Sequence, residues 1–130
     1  MTATYLDSSA IVKLVIAEAE SATLRRHLRR RRPLVSSALA RTEVLRALLA
    51  EGDDGLTRGR AILAGLDLIR VSDRVLNEAA RLLPSDVRSL DAIHLATAQQ
   101  LNGELEHIVS YDERMLRAAN RLGMRTARPV

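Results

Sequence analysis

The feature that most constrains this chain is a recurring local order: a short β-prone run, then Ser or Asp residues able to cap a helix, then apolar residues at helical spacing. Thr2 to Leu6 is followed by Asp7-Ser8-Ser9 and a helical pattern from Ile11 to Ala19, continued from Ser21 to Arg31 and stopped by Pro33. Leu34 to Ser36 precedes a helix from about Ala38 to Glu51, capped by Ser36 or Ser37 and closed by a break at Gly52-Asp53-Asp54-Gly55. After a helix at Leu56 to Leu66, Leu68 to Val71 forms a strand and Ser72-Asp73 caps Arg74 to Leu83. Ser89 is the expected cap of Leu90 to Leu101, with Leu90, Ile93, Thr97 and Leu101 on one face, and Gly103 closes that helix. His107 to Tyr111 reads as a strand, Asp112 as the cap of Glu113 to Leu122, and Met124 to Ala127 as a last edge strand. Strand-then-helix order with short turns implies an α/β fold: an α/β/α sandwich on a central, mostly parallel sheet. At 130 residues the chain fits one domain, residues 1–130.

Hydrophobic residues make up 47% of the chain, but with no Phe or Trp the interior falls to Leu, Ile, Val and Ala. The absence of Cys excludes disulfides, thiolate metal sites and Cys nucleophiles, and suits a reducing compartment, so the cytoplasm is the expected location. No secretory leader pattern is present. The longest apolar stretch, Ala10 to Ala17, is interrupted by Lys13 and falls far short of the ~20 residues of a membrane span. The formal net charge is +4 and Lys13 is the only lysine. Arginine binds phosphate through a planar fork of donors, so a polyanionic partner fits this composition, although the run Arg29 to Arg32 reads simply as a solvated helix end.

The acids carry the chemistry. In a parallel sheet Asp7 and Asp112, each following a strand, lie at the carboxyl edge, where ligands of such folds bind. Asp91 opens a helix after the loop that brings the chain back to that edge, and Glu43 sits early in the helix after the second strand, on a side with small residues that can line a cleft. Singly, each has a plain structural use as a helix cap, a charge near a helix N-terminus or a surface ion-pair partner. Converging carboxylates repel, and they stay ionised together only if a cation offsets them. Hard oxygen donors without His or Cys suit Mg²⁺ or Mn²⁺, for which a phosphodiester is the natural substrate.

The segments Tyr5-Leu6-Asp7-Ser8-Ser9-Ala10, Ala40-Arg41-Thr42-Glu43-Val44, Ser89-Leu90-Asp91-Ala92-Ile93-His94-Leu95-Ala96-Thr97-Ala98 and Ser110-Tyr111-Asp112-Glu113-Arg114-Met115 together resemble the PIN-domain nucleases, and more narrowly the VapC toxins of toxin–antitoxin pairs. The resemblance covers essentially the whole chain, in order. It implies an acidic quartet of Asp7, Glu43, Asp91 and Asp112, with Asp7 and Asp91 the firmest metal ligands and Asp112 holding a second metal or a bridging water. Ser110 stands where the family often has Thr, and strand period puts it on the same face as Asp112, so it is expected to orient that carboxylate or a metal-bound water. The resemblance also implies Mg²⁺- or Mn²⁺-assisted hydrolysis of RNA leaving a 3′-hydroxyl and a 5′-phosphate, a VapB-like antitoxin partner, and a homodimer that assembles further with it.

Among other residues, His94 reads as a buried, hydrogen-bonded structural histidine, and His27 and His107 show no partner pattern, leaving a Ser-His-Asp hydrolase unsupported. Arg88 and Arg114 adjoin the acids and serve either as phosphate contacts or as their ion-pair partners, while Tyr5 and Tyr111 are the only residues able to stack bases. A receiver-type phosphoacceptor domain would need paired acids after the first strand and a late Lys, and a haloacid-dehalogenase-like phosphatase an Asp where Ser9 stands. A non-catalytic RNA-binding or scaffold protein on the same fold is the remaining alternative.

Overall fold

In a computed structural model, which describes residues 2–130, the chain forms a five-stranded sheet in the order β3-β2-β1-β4-β5. The strands are β1 (Ala3–Leu6), β2 (Leu34–Ser37), β3 (Asp67–Ile69), β4 (Leu105–Val109) and β5 (Thr126–Ala127), and every pairing is parallel. The helices are α1 (Ser8–Val15), α2 (Ser21–Leu28), α3 (Ala40–Ala47), α4 (Gly52–Ala64), α5 (Asp73–Ala80), α6 (Ser89–Gln99) and α7 (Glu113–Arg121). The two edge strands, β3 and β5, are three and two residues long, which leaves little unpaired backbone for another chain to extend.

Strand alternation divides the interior into two layers. On one face Leu6 of β1, Leu34 of β2 and Val109 of β4 pack with Ile11 of α1, Leu24 of α2, Val44 of α3 and Leu63 of α4. On the other, Tyr5, Val35 and Ile108 from the same strands pack with Leu95 of α6 and with Met115 and Ala119 of α7. The short side chains on α6 and α7 let both helices lie close to the sheet without aromatic filler. No helix among the described residues is long and apolar enough to cross a membrane.

Several boundaries depart from the sequence expectation for identifiable reasons. Helix α1 stops at Val15, not Ala19, because Ser21 Oγ accepts the Glu18 N–H and donates to the Ile16 carbonyl, tying the intervening turn. The break expected over Gly52 to Gly55 is confined to Gly52, whose φ is +72°, and Asp53 and Asp54 form the first turn of α4, where their charges favour the helix dipole. Ser89 is the first residue of α6 rather than its cap: Arg88 holds the cap position and no side chain caps the helix. The expected buried face of α6 is also corrected, since Leu90 is 48% exposed while Ala92, His94, Leu95, Ala96, Thr97 and Ala98 are all buried. This helix lies between the sheet and α5, so it is covered on more than one side. Strand β4 spans Leu105–Val109, two residues ahead of the expected run, which leaves Ser110, Tyr111 and Asp112 beyond its carboxyl end.

Helix α7 ends in a left-handed turn at Gly123, with φ +83°, where the Met124 N–H reaches back to the Ala119 carbonyl at 3.0 Å. Only glycine adopts that conformation without strain. Gly123→Ala is expected to cost about 1 kcal/mol, whereas Gly103→Ala, at an ordinary φ in open space, stays neutral or stabilises slightly. Equal urea midpoints for the two variants would show that this turn does not carry the stability of the α7 terminus.

Candidate metal-dependent nuclease site

The topology reverses at β1, with β2 and β3 to one side and β4 and β5 to the other. Such a switch point opens a crevice at the strands' carboxyl ends, and the candidate acids gather around it. Asp7 follows β1 directly and is the N-cap of α1, its Oδ1 accepting the Ala10 N–H at 3.1 Å. Ser9 Oγ donates to the same oxygen and Ser110 Oγ to Oδ2, both at 2.6 Å. The carboxylate is 4% exposed, and among the described residues no Lys, Arg or His lies within ion-pair distance of it. Burial therefore raises its pKa, against the lowering effect of these hydrogen bonds.

Ser110 departs from one of its two expected roles, that of orienting the Asp112 carboxylate. Its hydroxyl orients the carboxylate of Asp7 rather than that of Asp112, and it accepts the Asp112 backbone N–H at 3.0 Å. Because the strand has already ended at Val109, backbone turns and not strand period set its direction. Asp112 caps α7 by accepting the Arg114 N–H at 2.9 Å.

Asp91 and Asp112 are joined through a guanidinium. Arg88 Nε donates to Asp91 Oδ2 at 3.3 Å and its Nη2 to Asp112 Oδ2 at 3.2 Å. Burial raises the Asp91 pKa, Arg88 pulls it down and the charge of Asp112 adds to the rise. The expected ligand trio of Asp7, Asp91 and Asp112 is thus not preassembled: among the described residues no three His, Asp or Glu side chains surround a common point at ligand distance. A guanidinium offsets two of the carboxylates, and hydroxyls and a backbone amide hold the third.

Glu43, on α3, is half-buried and fixed by Ser8 Oγ and His94 Nε2, each 2.6 Å from Oε1. A carboxylate accepts, so Nε2 carries the proton. The Tyr5 hydroxyl, whose pKa burial drives far upward, keeps its own proton and donates to Nδ1 at 2.7 Å. The result is a chain from Tyr5 O–H through His94 to Glu43. Burial alone would raise the Glu43 pKa, but the bonds from His94 and Ser8 prevail and lower it. His94 is buried and hydrogen-bonded as expected, yet its partner is a site acid. The signal lay in its spacing: Asp91 and His94 are one turn apart on α6 and face the same crevice.

Two further expectations change. Tyr5 is fully buried and unable to stack a base, and His27 and His107 are each other's partners, with Nε2 atoms 2.8 Å apart. Tyr111 is half-buried beneath Lys13, 4.9 Å from its ring centre.

The pKa directions have a consequence for stability. A carboxyl raised above its unfolded value costs stability once ionised, so the Asp7 contribution improves as pH falls through the raised folded value; Glu43, lowered, contributes above its unfolded value and loses that as pH falls through its folded value. Asp7→Asn is expected to be more stable than the parent at pH 7, with the gap closing near pH about 3, where both forms of Asp7 are protonated. Urea unfolding at the two pH values checks this, and a less stable variant at pH 7 would contradict the assigned cost.

Comparison with known proteins bears on the fold and the family. The PIN domain family model matches residues 4–121. The chain is 58% identical over 129 residues to ribonuclease VapC46 of Mycobacterium tuberculosis, covering 99% of both, and 39% identical over 130 residues to ribonuclease VapC47 of the same species, covering 96% of both. Among solved structures, M. tuberculosis VapC20, described as a sarcin-ricin loop cleaving toxin, superposes with a TM-score of 0.75 at 18% identity over 98% of this chain and 100% of that one. A toxin–antitoxin complex from Klebsiella pneumoniae gives 0.76 at 20% identity over 98% of each. These two share the fold, while the extent of the sequence matches establishes kinship: the chain belongs to the PIN-domain family and, within it, to the VapC group.

Proposed function

We propose that this chain is a divalent-metal-dependent endoribonuclease, the toxin of a toxin–antitoxin pair, acting in the cytoplasm as one nuclease domain over residues 1–130. The observation that carries the reading is the gathering of Asp7, Glu43, Asp91 and Asp112 at one switch point, from parts of the chain far apart in sequence. The curated relatives carry the name ribonuclease, which supports the RNA substrate.

The donor set fits a hard cation. Asp7 is a buried carboxylate held by neutral donors, and Asp91 and Asp112 already share one positive group, Arg88. Asp7, Asp91 and Asp112 would hold Mg²⁺ or Mn²⁺, which supplies an acidified water and charge stabilisation of the leaving oxygen. Ser9 and Ser110 fix both oxygens of Asp7, so its orientation is set in advance. Glu43 stays ionised, with both hydrogen bonds on Oε1 and Oε2 left to take a proton from the attacking water. His94 holds Glu43 in place, and the buried Tyr5 hydroxyl fixes the tautomer that allows it. A VapB-like antitoxin covering this crevice, and a homodimer of the chain, complete the proposal; the Klebsiella neighbour is itself a toxin–antitoxin complex.

Cleavage-end mapping on total RNA with Mg²⁺ or Mn²⁺ tests the reading. The parent is expected to leave 3′-hydroxyl and 5′-phosphate ends, Asp7→Asn and Asp91→Asn to be inactive, and His94→Gln to lose roughly 10–100-fold, the usual cost of removing a group that orients a site residue. Mn²⁺ is expected to raise the melting temperature of the parent but not of Asp7→Asn or Asp91→Asn. Equal cutting by the parent and both Asn variants would reject the site.

A further inference from the structure

Beside the carboxylates, the loop ending at Arg88, the first turn of α6 and the outward face of α7 enclose a cavity of about 150 Å³. Its wall carries four arginines, Arg88, Arg114, Arg117 and Arg121, against two carboxylates, Asp86 and Asp91. Arg114, Arg117 and Arg121 lie at i, i+3 and i+7, on one face of α7, and span about 10 Å of its axis. Ala118 between them is buried and small, so the guanidinium stems flank a shallow floor.

Arg74 pairs with Glu78 and Lys13 with Glu18 and Glu20, but most arginines among the described residues have no acid within 4.0 Å; what sets this row apart is its place with Arg88 and Asp91 on the wall of one cavity. Among the described residues Arg114, Arg117 and Arg121 have no carboxylate within 4.0 Å, although they are exposed and close to one another. Three guanidinium forks on one helix face, outnumbering with Arg88 the two carboxylates of the same wall, concentrate positive charge that a polyanion can share.

We propose that this cavity binds the RNA backbone phosphates next to the one being cut, with Arg117 and Arg121 as the phosphate contacts farther along α7 and Arg88 at the junction with the catalytic acids. The inference rests on the nuclease reading above and adds which side of the acids the strand occupies. Phosphates recur regularly along a nucleic-acid strand, so a row of guanidinium groups about 10 Å long can meet more than one of them. The carboxylates of an acidic peptide have no such fixed repeat, which favours RNA over an antitoxin tail. Arg88 couples the two regions, because the guanidinium that bridges Asp91 and Asp112 also lines the cavity. Each further arginine adds affinity without base readout, as phosphate contacts position a strand but do not specify its sequence.

The test is fluorescence anisotropy of a labelled oligouridine of about twelve nucleotides in EDTA, where binding is read without cleavage, over a range of salt. The parent is compared with Arg117→Gln/Arg121→Gln and with Arg58→Gln/Arg60→Gln on α4, a pair of exposed arginines away from the cavity. Losing two phosphate contacts is expected to flatten the log K against log salt slope by about 1.4, since each contact to a single strand contributes about 0.7, and to weaken low-salt binding by roughly tenfold. The α4 pair is expected to leave the slope unchanged. Inorganic phosphate up to millimolar levels is expected not to displace the oligonucleotide. The same slope for the parent and the α7 variant, or displacement by inorganic phosphate alone, would overturn the assignment. So would loss of antitoxin binding by the α7 variant with RNA binding intact, which would make the cavity a peptide site. Cleavage of total RNA by the parent, run alongside, separates the two levels: an active parent with an unaffected α7 variant defeats only this cavity, whereas an inactive parent that binds no RNA defeats the nuclease reading as well.

Discussion

The carboxylate of Asp7, buried at the end of the central strand, is the constraint around which this end of the molecule is arranged. Burying a charge is costly unless hydrogen bonds or opposite charge offset the lost hydration. Here the offset comes from three directions: the start of α1, whose Ala10 N–H meets Oδ1 and whose N-terminal field favours a negative charge; Ser9 beside it; and Ser110 beyond β4. Two of these donors reach outward again. Ser9 Oγ accepts the Tyr111 N–H and Ser110 Oγ accepts the Asp112 N–H, so satisfying Asp7 also fixes the turn that presents Asp112. One solvation problem thus sets the position of two acids.

The same economy appears on the other side of the crevice. Glu43 belongs to α3, Ser8 to α1, His94 to α6 and Tyr5 to β1, and their hydrogen bonds link these four elements across the sheet end. Buried polar networks of this kind are strong only when every member is satisfied, and among the described residues no buried side-chain polar atom lacks a partner. Rigidity at the site therefore follows from complete pairing, without any aromatic packing beyond Tyr5 itself.

How far the sequence reveals this depends on the range of the interaction. The strand-helix alternation, the parallel sheet and the acids at strand ends are local patterns, and they are legible from Asp7, Glu43, Asp91 and Asp112 as they stand. The partners of those acids come from elsewhere in the chain, and there sequence reading falls short. Ser110 and Asp7 are 103 positions apart, and nothing in either segment says that one hydroxyl will orient the other's carboxylate rather than that of Asp112. The pairing of His27 with His107 depends on how α2 packs beside β4, again a matter of tertiary placement. Helix α6 misleads for a related reason: an amphipathic stripe assumes one wet face, and a helix covered by both the sheet and α5 has no need of one. Gly52 misleads in the opposite sense, because one residue at positive φ suffices to redirect the chain after Glu51, and the acids after it start the next helix.

Arg88 shows why a site of this type is neither purely structural nor purely catalytic. Two carboxylates brought together by the fold need positive charge near them, and an arginine three residues before Asp91 supplies it through hydrogen bonds to both. The same group would compete with any divalent cation for those oxygens, so on the proposed function cation affinity would reflect a difference between two ways of neutralising the acids rather than the strength of the ligands alone. An arginine that yields its carboxylates is released beside a cavity already rich in unpaired guanidinium groups, where a phosphate is the natural replacement. On the proposals above, charge neutralisation at the acids and phosphate binding beside α7 would draw on one side chain, Arg88, which lies where the two regions meet.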